Sequence, residues 1–439
     1  MRPHLHLCLA ALFGSFVAVA QAQAASPSPR KGRAARVLPL SVEVIQRTDV
    51  HATPSRKGAY IGTLSRGARF PVLGEARGGG CKDGRWLEVG RGTWMCAAHG
   101  VLRWVFPRLP PQPLLSEGKL VPRTAYYARR DGVPVFLTRE DASAGRHDRL
   151  VEQGFSFTLL AGLRLNGRSF IRTRKGEIVP REDLYLYQPS SFKGRELDGA
   201  PKETIACSIG YKQTPIRDNP SAAARKIGNL PHHAWVTVQE TAGRGDRRFA
   251  RIAPGQWVSA DSLRIFHFTA PPKGLGPNER WVEVLLRHQT LVAYEGDRPV
   301  FATLVSTGRW EHRTPQGIFR ARTKVAMSTM SNRLGAGELY RVDDVPWIFY
   351  FQEGYALHGT YWHDSFGVPK SHGCINLAPT DARWLFAWAP PRLPPGWEAV
   401  ETSGARPGML IRVRNHPGTP VEYRGPSDQQ LSPIADSAH

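Results

Sequence analysis

Several absences narrow this chain before any motif is considered. Beyond the N-terminus no stretch reaches the about 18 consecutive apolar residues that suggest a membrane-crossing helix, so no integral membrane segment is expected in the mature protein. No Lys/Arg block is longer than Arg30–Arg36, although 59 Lys and Arg stand against 37 Asp and Glu and give a formal net charge of +22. Charge spread so evenly reads as a basic surface suited to anionic cell-wall polymers or membrane surfaces, with no nucleic acid expected as a dedicated partner. Long helices are disfavoured by 43 Gly and 36 Pro, which favour turns and short strands. With 41% hydrophobic and 22% charged residues, the composition is that of packed domains.

The N-terminus has the layout of a secretory signal peptide. Arg2 supplies a short positive region, Leu5 to Ala20 is mostly apolar, and Ala20-Gln21-Ala22 and Ala22-Gln23-Ala24 offer small-x-small cleavage sites. Residues 1–24 are read as that signal and 25–40 as a flexible basic leader, which places the protein in the periplasm or cell wall. Four cysteines then remain: Cys81, Cys96, Cys207 and Cys374. In an oxidising compartment Cys81 and Cys96, close in sequence on either side of a hairpin pattern, are the disulfide candidate.

Three segments of similar size follow the leader, at 41–105, 124–189 and 203–268. Each ends on a strand, a Gly-bearing turn (Arg91-Gly92, Lys175-Gly176, Pro254-Gly255), a second strand and a Leu. Short strands at this spacing suggest small β-barrels, and the pattern resembles bacterial SH3-like domains. That resemblance implies binding to cell-wall peptides; a spacer or bracing role is the alternative. Pro-rich joints at 107–113 and 271–277 read as linkers.

Residues 279–414 differ. A β-meander runs from Trp281 to Val305, with further strands expected at Ile318–Val325, Val345–Phe351 and Met409–Arg414. One helix is expected from Pro379 to about Ala389: proline opens it, Asp381 suits its positive end, and Pro390-Pro391 stops it. The tail at 415–439 reads as disordered.

The chemistry concentrates in His358–Leu377, HGTYWHDSFGVPKSHGCINL. A thiolate is the strong nucleophile among these groups, and an imidazole can take its proton. Gly373 before Cys374 lets backbone approach a substrate closely, and the amides of both residues could serve an oxyanion. A third group, such as a backbone carbonyl, must fix which histidine nitrogen faces the sulfur. Three other readings stay open on residue chemistry alone. Cys374 could pair with Cys207, could join His358, His363 and His372 in a zinc site, or could be an inert buried thiol.

The segment resembles the L,D-transpeptidase catalytic domain, also called the YkuD type. His358-Gly359-Thr360, then Ser371-His372-Gly373-Cys374-Ile375-Asn376, fill its His-Gly and Ser/Thr-His-Gly-Cys elements, and Ser306-Thr307-Gly308 with Thr314-Pro315-Gln316-Gly317-Ile318-Phe319 fill its upstream element. The resemblance implies a mainly β fold, with a β-sandwich-like catalytic domain carrying one short helix behind about three small barrels. It implies Cys374 as nucleophile, His358 as proton acceptor and donor, and His372 as an orienting group. Gly359 would offer its carbonyl to the histidine, and Gly373 with Cys374 would form the oxyanion hole. Asn376 and Ser371 would brace the loop, while Tyr355, Trp362 and His363 would wall the pocket. It also implies peptidoglycan stem peptides as partners and no metal or organic cofactor. The insertion from Ala326 to Asp344 suggests a lid. The order His358 before Cys374 argues against NlpC-type wall peptidases, which usually place the cysteine first.

Overall fold

The computed structural model describes residues 39–210, 213–331 and 341–429. The expected signal and most of the leader lie outside the described residues. Among the described residues no helix is long and apolar enough to cross a membrane.

The C-terminal domain is built on the expected meander. Arg280–Leu285, Thr290–Glu295 and Arg298–Ser306 pair antiparallel in succession. Leu410–Arg414 adds in parallel to Arg280–Leu285, and Gly317–Arg320 closes that edge. On the other side come Ile375–Leu377, Tyr355–Gly359, Arg341–Gln352, Thr323–Ser331 and Trp397–Glu401. Runs such as Val282-Val284, Leu291-Ala293, Phe349-Phe351 and Ile411-Val413 are buried against the helix Pro379–Trp388. That helix forms where proline and Asp381 predicted it, and its Trp384 and Trp388 rings stack 5.4 Å apart.

Two expectations in this domain are corrected. The single strand at Ile318–Val325 is two strands, Gly317–Arg320 and Thr323–Ser331. The chain changes partners between them: Ala321 N–H bonds Met409 O, whereas Arg322 N–H bonds Tyr350 O. The tail is structured at its start. Ile318 N–H donates to Glu422 O and Arg424 N–H to Ile318 O, because the edge strand Gly317–Arg320 offers unpaired backbone groups. Arg320 also donates to Gln429 O, so residues 422–429 are held on the domain. Residues 430–439 lie outside the described residues.

The three preceding segments each form strands around their own apolar clusters. They share one ending: hairpins Arg85–Gly90/Thr93–Cys96, Arg168–Thr173/Ile178–Pro180 and Phe249–Ala253/Gln256–Ser259, each followed by a 3₁₀ turn and a short strand. They are not separate beads. Tyr60–Leu64 pairs with Trp397–Glu401, which makes the first segment continuous with the sheet of the C-terminal domain, and Arg195–Glu196 pairs with the meander strand Arg298–Ser306. The joints are tied down too: Arg108 exchanges backbone bonds with Arg69, Gly396 N–H reaches Pro110 O, and Arg412 donates to Ala270 O.

Cys81 and Cys96 are bridged, while Cys207 and Cys374 are free thiols. Cys207 is buried at the base of the third segment, where burial pushes its thiol well above the usual range. The Cys207–Cys374 pairing is therefore set aside. Opening the 81–96 bridge by Cys96→Ser should cost about 3 kcal/mol of stability, as expected for a loop of this length. Urea unfolding of oxidised wild type and variant measures it, and coincident curves would contradict the prediction.

Candidate active site

Two strands bring the chemical residues together. Tyr355–Gly359 and Ile375–Leu377 pair in parallel, with His358 opposite Asn376 and Leu357 opposite Ile375. Parallel neighbours need a crossover rather than a hairpin, and residues 360–374 supply it. Both His358 and Cys374 then open on one cavity of ≈ 820 Å³.

The upstream Ser-Thr-Gly strand end shapes the cysteine loop. Lys370 N–H and Ser371 N–H both donate to Thr307 O, and Arg309 N–H donates to Ser371 O. Ser306 Oγ donates to Val368 O at 2.6 Å. Thr314 Oγ1 accepts from Gly308 N–H at 2.9 Å and donates to Gly373 O at 2.8 Å. The Thr-Pro element thus sits against the backbone it holds. Ser371 Oγ donates to Cys374 O at 2.6 Å and accepts from Gly373 N–H at 3.0 Å. This is the bracing role expected of Ser371. The second of these bonds engages the Gly373 amide, which the resemblance assigns to an oxyanion. What demands glycine there is conformation and space: φ is +117°, and a Cβ would lie 2.5 Å from Tyr355 Cε1.

His358 is buried, and its Nδ1 lies 3.3 Å from Gly359 O and 3.4 Å from Thr360 Oγ1. A proton on Nδ1 donated to that carbonyl leaves the Nε2 lone pair for proton transfer. Trp362 stacks on the ring at 5.7 Å. Burial pulls the imidazole down to about 4 against the Gly359 bond. Burial pushes the Cys374 thiol up to about 11 despite the Ala356 amide that faces it. The pair at rest is therefore neutral, and the thiol lies 3.8 Å from Gly354 O.

The other predicted residues divide. Trp362, His363, His372 and Asn376 line the cavity. Tyr355 is not on its lining; it packs against the core and behind Gly373. His372 Nε2 meets Arg309 at 3.1 Å and its ring lies 4.8 Å from His312. His363 accepts Ser365 N–H on Nδ1 at 3.1 Å, and Asn376 lies 2.9 Å from its Nε2. Burial and the nearby Lys370 hold His363 down to about 3, so it is neutral and its proton belongs on Nε2. The Asn376 amide oxygen, otherwise without a partner, is the group that suits that proton. With both nitrogens of His363 engaged and its proton on Nε2, that histidine presents no lone pair to a metal beside Cys374.

Sequence reasoning missed one wall entirely. Residues 149–155 of the second segment and Tyr187 line the cavity opposite the hairpin residues Met330, Arg341 and Val342. The hairpin is fastened to that segment: Lys175 Nζ lies 2.6 Å from Asp343, and Tyr361 OH donates to Asp343 O at 2.6 Å while its ring meets Tyr187. The tip of the expected lid, 332–340, lies outside the described residues.

Residues 279–422 match the family model of the L,D-transpeptidase catalytic domain, YkuD. The chain carries an L,D-transpeptidase catalytic domain. It is similar to an L,D-transpeptidase structure from Xylanimonas cellulosilytica, at 24% identity over 33% of this chain and 63% of that one, with a TM-score of 0.23. It is similar to the catalytic domain of the E. faecium enzyme at 22% identity, over 31% of this chain and 98% of that one, TM-score 0.25. For the Mycobacterium smegmatis enzyme the values are 18%, 52%, 94% and 0.26. The chain spans less than two thirds of the first of these relatives. No curated protein matches it.

Two outcomes follow from this geometry. Gly373→Ala should lower stability by roughly 1–3 kcal/mol through the left-handed backbone and further through the clash with Tyr355, so the loss should shrink toward the backbone share in a Tyr355→Ala background; additive losses in a double-mutant cycle would contradict the contact. Below its raised pKa the thiol keeps its proton, so alkylation of Cys374 by iodoacetamide should climb between about pH 7 and 10. A rate already maximal at about pH 7 would mean a resting thiolate.

Proposed function

We propose that this protein is an exported peptidoglycan L,D-transpeptidase that works through a Cys374 acyl-enzyme. The observation that carries the reading is the placement of His358 and Cys374 on adjoining parallel strand ends above one cavity, with Nδ1 turned to Gly359 O. Cys374 Sγ attacks the carbonyl that joins the L-configured centre of the stem diamino acid to its terminal D-alanine. The thiol proton passes to His358 Nε2 and then to the departing D-alanine nitrogen as the C–N bond breaks. An amine of a second stem attacks the thioester, gives its proton to His358 and displaces the thiol, which is reprotonated. The product is a 3→3 cross-link.

A second stem needs room. The ≈ 820 Å³ cavity, with a separate wall from residues 149–155, supports an amine acceptor over water. Water as acceptor would make the enzyme an L,D-carboxypeptidase. For the modules we keep the SH3-like, wall-binding role. The first carries a cavity of ≈ 770 Å³ lined by His51, Tyr60 and Trp86, which supports contact with a wall peptide. A non-enzymatic wall-binding protein would use these modules alone.

Incubation with a disaccharide-tetrapeptide separates the readings by product mass. A cross-linked dimer with released D-alanine is expected from wild type and neither from Cys374→Ala. A tripeptide alone would replace transfer by hydrolysis, and normal turnover by the variant would overturn the nucleophile.

A further inference from the structure

Outside the cavity, a second group of chemically capable side chains sits where the third module touches the crossover loop. His232 and His233 form the turn between Lys226–Pro231 and Trp235–Val238, and Asp364 lies in the loop that joins His358 to Cys374. His233 takes a left-handed backbone, φ +58°, and the turn sets the two imidazoles with centroids 3.5 Å apart. The nitrogens and a carboxylate oxygen of Asp364 lie within 4.8 Å of one another.

Hydrogen bonds decide which atoms face inward. His232 Nδ1 lies 2.9 Å from Gly210 O, and His233 Nε2 lies 3.2 Å from Phe366 O. A carbonyl accepts only, so the proton of each neutral ring belongs on that nitrogen. The remaining lone pairs, on His232 Nε2 and His233 Nδ1, then face Asp364 oxygens at 3.7 and 3.6 Å. His232 Nε2 also lies 3.3 Å from Asp364 O. Among the described residues, electron-rich atoms converge with no donor between them. One proton would leave the other lone pair against the carboxylate, and two would stack a pair of cations. A divalent ion relieves every contact, and imidazoles fixed by backbone carbonyls are the usual form of histidine ligands.

We propose that His232 Nε2, His233 Nδ1 and Asp364 bind a divalent transition-metal ion of the zinc class, with water completing its shell on the open Asp364 side. The ion fastens the third module to the loop between acid–base and nucleophile. It adds to contacts already there: Arg264 Nε donates to Gly367 O at 2.7 Å, and Ile209 packs so close to Gly367 that a Cβ would lie 2.3 Å from its Cγ2. The ion is structural and takes no part in acyl transfer, so the proposal stands apart from the reading above.

The test uses the full chain without an affinity tag, in a Cys374→Ala background that removes the thiol as a rival ligand, stripped with chelator and dialysed. Titration with Zn²⁺ alone should show one equivalent bound and a raised Tm, and Co²⁺ should give a visible ligand-field band. Asp364→Asn, at an exposed position that tolerates the change, should weaken Zn²⁺ binding at least tenfold, and His233→Gln more. Binding that is absent, or equal in all three proteins, would overturn the site. So would an Asp364→Asn loss of Tm that is the same with chelator and with Zn²⁺, which marks a hydrogen-bonded clasp only.

Discussion

Everything at this site depends on the parallel pairing of Tyr355–Gly359 with Ile375–Leu377. Register along two hydrogen-bonded strands is fixed to within one residue, because a slip by one turns every side chain to the other face. Here it seats Asn376 beside His358 and brings Cys374 in just ahead of its own strand. The register in turn requires the crossover 360–374 to hold one path. Ser306, Thr307, Gly308 and Thr314 act as its template from one side, through bonds to Val368, Lys370, Ser371 and Gly373. The third module holds it from the other through Arg264 and the His232–His233 turn.

Buried charge braces this frame and the joints that lead into it. Glu283 is buried with Arg412 and Arg414, and Thr269 Oγ1 donates to the same carboxylate at 2.7 Å. Removing one member would strand the others without water, which costs far more than the pairing itself gains. Asp381, at the first turn of the helix, accepts from Thr303 and from Gly194 N–H, and burial lifts its carboxyl to about 7. Lys324 ends under the helix C-terminus, donating to Ala389 O and Pro391 O, and burial lowers its ammonium to about 7. The helix is thus tied at both ends by groups with strongly shifted ionisation.

Much of this was legible in the sequence, for local reasons. The helix, the meander strands and the 81–96 bridge follow from proline placement, alternation and spacing. The motif residues mark the cysteine loop because its anchors, Ser306 to Gly308, Thr314 and Ser371, each stand in a recognisable motif, although most of the bonds between them span about 60 residues. What could not be read depends on distant chain. The wall at 149–155 lies some 200 residues from Cys374 and carries no local signature. The Gly373 amide looked free because its bond to Ser371 Oγ arises only in the folded loop. The break at Ala321-Arg322 and the ordered start of the tail are both set by sheet edges, which alternation cannot reveal. Lys324 looks like a surface charge until the end of the helix covers it, and Asp381 until Thr303 and Gly194 close over it.

In the proposed mechanism Cys374 takes the acyl group and His358 moves its proton. Intact-mass measurement of the enzyme quenched during turnover of a disaccharide-tetrapeptide, with peptide mapping, tests it most directly. An adduct equal to the substrate less D-alanine, mapped to Cys374, is expected in wild type and should form far more slowly in His358→Ala. An adduct on another residue, or one that forms at the wild-type rate without His358, would contradict it.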